Sequence, residues 1–299
     1  MIKKRIMIIG SNGLLGERLV EYYKDNQKVE LLCCSIEEYS CSNEVEYIKL
    51  DISLKPDVRK AIKSFYPDVI INVAAFTNVD ACETEKDSAW KVNVDGVENL
   101  AKYAIISDAH LIHISTDYIF DGTSGPYDEN ALPNPQSYYG RTKLASENLL
   151  KNYETKSTII RINVLYGPTS SGKTDFVRWV VESLRERKLI RIVTDQINNP
   201  TFTEDLVGGI NRIIELNKTG IYNMGGAELL SRFDFTLKIA EYFELDTSLI
   251  KEIVTSDLQQ AAKRPLKSGL INLKAESELN YKPRNIEHAL RFMKRYLEN

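Results

Sequence analysis

The sequence predicts an α/β fold, a doubly wound parallel sheet with a smaller, interleaved C-terminal lobe. Three observations carry this. Short apolar runs recur near residues 5–10, 29–34, 45–50, 68–74, 110–116 and 157–163, with helical spacing between most of them. Alternation of that kind implies right-handed crossovers and parallel strands. The first run, Arg5-Ile-Met-Ile-Ile9, passes through Gly10-Ser-Asn-Gly13-Leu-Leu-Gly16 into Glu17-Arg-Leu-Val-Glu-Tyr-Tyr-Lys24, a strand, glycine turn and helix in direct succession. After about Tyr166 the pattern loosens into helices at 174–187, 203–217, 231–244 and 286–297, interrupted by short strands such as Arg191-Ile-Val193 and Ile221-Tyr-Asn223. Residues 1–165 are therefore expected to form the main sheet domain and 166–299 most of the second lobe, a division that suits a chain of 299 residues.

Taken in order, the glycine turn comes first. Gly10 permits a tight turn, Gly13 lets the backbone approach a pyrophosphate and Gly16 allows close packing of helix on strand, while the helix N-terminus offers N–H donors and a positive dipole. This context predicts dinucleotide binding, with Asn12, Leu14 and Leu15 of the same turn beside the cofactor. The second strand ends Leu32-Cys-Cys-Ser35, with neither the acid that grips an NAD ribose nor an arginine for a 2′-phosphate. Ser35 could donate to a 2′-phosphate, so a modest preference for NADP(H) is expected, with NAD(H) left open. The third strand ends at Asp51-Ile52, where the carboxylate either accepts from an adenine amine or caps a helix. Asn72-Val-Ala-Ala75 ends the fourth strand, and the small Ala74 and Ala75 would let a cofactor lie flat against the sheet edge. One long helix is expected from about Ala81 to Ile106, capped by Asp80 and turning Trp90, Val92, Val97 and Leu100 toward the sheet.

The fifth strand, His110-Leu-Ile-His-Ile-Ser-Thr116, leads through a glycine- and proline-rich loop over 121–135 to Tyr139-Gly-Arg-Thr-Lys143. On a helix, positions i and i+4 share a face, so Lys143 is expected beside the phenol of Tyr139. A neighbouring ammonium favours phenolate and lowers a pKa that is ordinarily about 10, making Tyr139 a usable general acid. The Thr116 hydroxyl could hydrogen-bond the same substrate oxygen. A nicotinamide site and a proton donor to a carbonyl oxygen predict one reaction, carbonyl reduction.

A competing motif needs weighing. Gly167-Pro-Thr-Ser-Ser-Gly-Lys-Thr174 satisfies GxxxxGK[ST], which alone would indicate a P-loop NTPase. Pro168, however, removes a backbone donor from the phosphate cradle, and Asp51, Asp117 and Asp195 are only loose candidates for the acid that must hold Mg²⁺. A mobile loop over the substrate cleft is the preferred reading. Composition sets further bounds: with 43% hydrophobic and 27% charged residues and a net charge of −3, the chain reads as globular and disfavours nucleic acid as a partner. No apolar run approaches a membrane span, and Met1-Ile-Lys-Lys-Arg-Ile leads straight into the first strand without the features of a signal peptide, so a cytoplasmic location is expected. The four cysteines and three histidines show no metal-ligand spacing, and His113 reads as a satisfied core residue.

Together these residues resemble the extended short-chain dehydrogenase/reductase family, whose nucleotide domain has the Rossmann fold. The resemblance spans nearly the whole chain. Besides the glycine turn and Tyr139/Lys143 it is carried by Asn72-Val-Ala-Ala-Phe-Thr-Asn-Val-Asp-Ala-Cys-Glu83, Val92-Asn93, Ser115-Thr-Asp-Tyr-Ile-Phe-Asp-Gly122, Asp195-Gln-Ile-Asn-Asn-Pro-Thr201 and Arg264-Pro265. It implies NAD(P)H-dependent reduction of the 4-keto group of a nucleotide-linked deoxy sugar, a dTDP-linked one first among them. Thr116, Tyr139 and Lys143 would be the catalytic trio, Asn93 and Thr77 would support and adjoin the cofactor, and Thr116, Asp117, Tyr118, Asn163, Gln196, Thr201 and Arg264 would meet the sugar nucleotide. Arg264 suits a diphosphate because guanidinium binds phosphate bidentately. Related dehydratases carry an acid where Tyr118 stands, and its absence here points to simple reduction. The same family includes a non-catalytic, NADP-binding regulatory subunit of methionine adenosyltransferase, which remains the alternative. A nucleotide sugar is the expected partner, a homodimer is left open, and neither nucleic acid nor membrane is expected.

Overall fold

The computed structural model describes residues 2–153, 155–169 and 175–298. In chain order its elements are β1 (Lys4–Ile9), α1 (Leu14–Tyr23), β2 (Val29–Ser35), β3 (Glu46–Lys49), α2 (Lys55–Phe65), β4 (Val69–Asn72), α3 (Ala81–Thr84), α4 (Lys86–Trp90), α5 (Gly96–Ser107) and β5 (His110–Thr116). Then follow α6 (Tyr138–Asn152), β6 (Ser157–Ile162), β7 (Leu165–Tyr166), α7 (Phe176–Arg185), β8 (Ile190–Val193), β9 (Ile197–Asn198), β10 (Thr201–Phe202) and α8 (Thr203–Leu216). The chain finishes with β11 (Gly220–Asn223), β12 (Leu230–Ser231), α9 (Arg232–Tyr242), β13 (Ile250–Ile253), α10 (Leu273–Leu279) and α11 (Ile286–Leu297).

Seven strands form one parallel sheet in the order β11-β6-β5-β4-β1-β2-β3. Its apolar runs are continuous because helices cover both faces, leaving Ile6 to Ile9 at most 1% exposed. One face packs on α1, α8 and α10 and the other on α2 and α5. The seventh strand and α8 come from beyond residue 166. On α8, Leu206, Ile210 and Ile213 lie in the same cluster as Ile6, Ile8 and Leu19 of β1 and α1, so the late chain both completes the sheet and builds a third cluster around α7, α9 and α11. The strand order reverses direction at β1 and β4, and ligands of open α/β sheets bind outside the strand ends at such a point.

The expected single helix over 81–106 is broken. Glu85 leaves helical backbone between α3 and α4, and residues Lys91–Asp95 form a wide π-type turn before α5. The break shifts the register, so Trp90 is 41% exposed while Val97 and Leu100 stay buried. Asp80 does not cap it, its carboxylate being engaged elsewhere. In the competing glycine motif, the N–H of Gly167 donates to Asp175 Oδ2 at 2.8 Å, which withdraws it from any phosphate cradle. Asp175 caps α7 at the same time, and Lys173 and Thr174 lie outside the described residues.

A charged pair sits inside the sheet–helix interface. Arg161 of β6 and Glu147 of α6 are 1% and 0% exposed, joined by Nη2–Oε2 at 2.8 Å and Nε–Oε1 at 3.0 Å. The Ser115 hydroxyl donates to Glu147 Oε1 at 2.6 Å and Arg161 Nη1 donates to the Glu129 carbonyl, so the buried charges are compensated.

Candidate active site at the strand ends

The glycine turn forms as its spacing demands. Gly10 has φ +84°, and a Cβ there would stand 2.8 Å from the Ala74 nitrogen; a Cβ on Gly16 would stand 2.1 Å from the Gly10 oxygen. Gly13 caps α1 without a side chain, leaving the first-turn N–H groups open to an anion. A pyrophosphate fits this cradle. Leu15 is buried in the core, so it can offer only its backbone N–H. The Asn12 side chain holds the β2–β3 loop instead, donating to Tyr39 O at 2.6 Å and accepting from Cys41 N at 2.9 Å.

At the end of β2 the Ser35 hydroxyl donates to the Glu37 carboxylate. A carboxylate therefore does stand at this strand end, on Glu37 just past Ser35. Asp51 accepts from Ser53 N at 2.8 Å and so holds the turn into α2, while Ile52 packs in the core against Gly96. Ala74 abuts Gly10 and, with Ala75, keeps the wall beside the glycine turn low; Thr77 is exposed on the same loop. Asn93 braces that loop, accepting from Phe76 N at 2.8 Å and donating to Phe76 O and to Thr142 Oγ1 at 3.0 Å. It acts on the site through the loop, with no free polar atom of its own.

Thr116, Tyr139 and Lys143 converge at the end of β5. Ser137 caps α6, which starts at Tyr138 and carries Tyr139 and Lys143 one turn apart. The Thr116 hydroxyl donates to Asp117 Oδ1 at 3.1 Å and accepts from Tyr118 N at 3.2 Å, close enough to the Tyr139 phenol to favour its ionised form, and the Tyr118 and Tyr139 rings meet edge-on at 5.7 Å. One expectation is corrected. Lys143 Nζ donates to the Ile114 carbonyl at 2.7 Å and lies 3.1 Å from His113 Nε2, so it does not lower the phenol's pKa in this arrangement. Desolvation by the surrounding protein, followed by repulsion from Asp117 and Tyr118, raises the Tyr139 pKa, and the nearby Thr116 hydroxyl only partly opposes this. Burial pushes Lys143 down to about 8, with Glu147 opposing. The lysine is 2% exposed and took the strand carbonyl available to it, because a buried ammonium needs an acceptor.

Beyond the trio, Asp117 is 2% exposed and accepts from the Ser268 hydroxyl at 2.5 Å; burial raises its pKa. Asn163 donates to Ser268 O at 3.0 Å while its Oδ1 is buried without a partner. Gln196 donates to Thr255 Oγ1. The Thr201 side chain is 0% exposed, donating to Met224 O and accepting from Asn163 N, so it buttresses the wall rather than meeting a ligand as expected. Arg264 is not free either. Asp80 clamps its guanidinium bidentately at 2.6 and 2.7 Å, which holds the Asp80 carboxyl down to about 2, and Arg264 also donates to the Ala262 carbonyl at 2.6 Å.

The sequence reading missed Arg232. It opens α9, stacks over Phe176 at 4.4 Å and points to the same Asp117–Tyr118 region, with Nη1 buried and unpartnered. Desolvation lowers its pKa, opposed by Tyr118 and Asp117. A cation in the first turn of a helix runs against the macrodipole, a signal that was available in Ser231-Arg-Phe-Asp234.

The family model for the RmlD substrate binding domain matches residues 4–298. A dTDP-4-dehydrorhamnose reductase of Aggregatibacter actinomycetemcomitans is 34% identical, covering 98% of this chain and 99% of that protein. The solved dTDP-4-dehydrorhamnose reductase of Bacillus anthracis, in complex with NADP, superposes with a TM-score of 0.84 at 30% identity over 99% of each chain. Methionine adenosyltransferase 2 subunit beta of Xenopus tropicalis is 32% identical, covering 88% of this chain and 78% of that one.

Proposed function

The chain belongs to the RmlD substrate binding domain family, and from that premise we propose that it reduces the 4-keto group of a nucleotide-linked deoxy sugar with NAD(P)H, dTDP-4-dehydro-L-rhamnose to dTDP-L-rhamnose being the specific reaction. The observation that carries the reading is the gathering of Thr116, Tyr139 and Lys143 at the end of β5, in the same parallel sheet whose β1 runs into the open glycine turn. The glycine turn and the first-turn N–H groups of α1 would hold the dinucleotide, which supplies a hydride when bound. The residues do the rest. A phenol with a raised pKa keeps its proton at neutral pH, so Tyr139 starts as the acid that reduction needs. The Thr116 hydroxyl orients the accepting oxygen, and Arg232, with Arg264 behind it, favours a diphosphate in the cleft. The test is sugar-dependent oxidation of reduced nicotinamide, with the product identified by NMR; no turnover of any 4-keto nucleotide sugar would overturn it.

Two expected outcomes arise here. Arg232→Met should raise KM for the sugar nucleotide roughly tenfold or more, the scale of losing a charge-assisted hydrogen bond, with cofactor Kd unchanged. Glu37 faces Ser35 at the ribose end of the turn, where its charge repels a 2′-phosphate. Glu37→Gln should therefore shift the NADPH/NADH ratio of kcat/KM toward NADPH by about tenfold, and an unchanged ratio would remove Glu37 from cofactor choice. The subunit beta relative supports a second reading, a cofactor-binding regulator. Cofactor binding without turnover, together with altered activity of a partner enzyme, would favour it.

A further inference from the structure

Behind Lys143 lies a short buried chain of polar side chains that the proposed reaction does not use directly. Asn72 at the end of β4 is 0% exposed, and its Nδ2 is 3.1 Å from His113 Nδ1. His113 on β5, also 0% exposed, places Nε2 3.1 Å from Lys143 Nζ and 3.2 Å from Ser146 Oγ. The ring's hydrogens follow from satisfiability. Asn72 Oδ1 accepts from Ala74 N at 3.2 Å, so the amide cannot be turned round without setting two donors against each other. Its Nδ2 is then the group facing Nδ1, which must accept. A neutral imidazole carries one proton, and that proton is left on Nε2. Burial and Lys143 both hold His113 well below its usual range, so the ring stays neutral.

An N–H at Nε2 is a donor aimed at the amine of Lys143 and at Ser146, whose own hydroxyl already donates to Lys143 O at 2.7 Å. A neutral amine accepts that proton readily; an ammonium meets it as a like-signed dipole. We propose that His113, held by Asn72 in the Nε2–H form, is a positioning residue that keeps the amine of Lys143 ready to release its proton. The chain ends at an amide that can neither take nor give a proton, so it sets the state of Lys143 without relaying protons to solvent. Of the groups facing Lys143, Glu147 on its own helix favours the ammonium but is already bound by Arg161 from β6, and β4 contributes only the uncharged Asn72. This rests on the reductase reading for its consequence, since proton supply to Tyr139 is what Lys143 would tune, but its physical content does not.

The pH behaviour follows. Lys143, with its pKa pushed down to about 8, is an ammonium below that pH and a neutral amine above it. In His113→Asn a carbonyl oxygen can face Nζ in place of the N–H, which favours the ammonium and moves the titration upward by about one unit. The decisive measurements are made on the full-length protein. Histidine ¹⁵N shifts should show His113 as the Nε2–H form, and an Nδ1–H form overturns the proposal even if no variant folds. Lysine ¹³Cε titration should place Lys143 near 8 and higher in His113→Asn, with the alkaline limb of kcat moving by the same amount; a Lys143 titration that stays put overturns it. A shifted titration in a protein that reduces no keto sugar would leave the positioning role standing and remove the reductase reading instead.

Discussion

Replacing Tyr139 by phenylalanine is expected to lower turnover of the keto sugar by ~10²-fold or more, the usual contribution of a positioned general acid, while binding of the reduced cofactor changes little. The phenylalanine ring preserves the edge-on contact with Tyr118 and removes only the hydroxyl that stands near Thr116. Loss of kcat with cofactor Kd intact is the signature of a group that acts on the reacting oxygen. Near-normal kcat in the variant would place the proton donor elsewhere, and Asp117, a buried carboxyl whose raised pKa favours its protonated form, would be the next candidate.

The second large effect concerns stability. Arg161→Met leaves the Glu147 carboxylate, 0% exposed, without its guanidinium, and breaking a buried pair from one side costs about 3–5 kcal/mol. Thermal unfolding should shift down on the order of 10 °C. The double variant with Glu147→Leu should recover much of the loss, because the cost lies in the abandoned charge rather than in the missing attraction. Equal melting points for the single and double variants would show that the pair is not the cause. The Ser115 hydroxyl, which donates to Glu147 next to Thr116, links this buried charge to the end of β5, so kcat of the single variant is also expected to fall.

How much was legible in the chain depends on the range of the interaction. Gly10, Gly13 and Gly16 were readable because backbone conformation and close approach within a seven-residue turn are local matters, and the positive φ of Gly10 and the clash at Gly16 bear out the reasons for glycine there. Apolar runs announced the parallel strands because burial on both faces leaves no room for alternation. Tyr139 and Lys143 on one helix likewise follow from spacing. The long helix over 81–106 failed because a one-residue break at Glu85 and a wide turn at Lys91–Asp95 leave the apolar pattern almost intact while turning Trp90 outward.

Partner choice was the part that spacing could not supply. Sequence by itself determined the sheet, the glycine turn and the chemical types gathered at its strand ends, because those depend on neighbours a few residues away. Only the tertiary structure decided that Lys143 holds Ile114 O and faces His113, that Ser35 is taken by Glu37, that Asp80 clamps Arg264 across 184 positions and that Arg232 reaches the cleft with a buried N–H to offer. The physical reason is competition. A buried polar group must find an acceptor or donor among whatever the fold brings within about 3 Å, and that set is fixed by elements far apart in the chain rather than by the residue's own sequence neighbours.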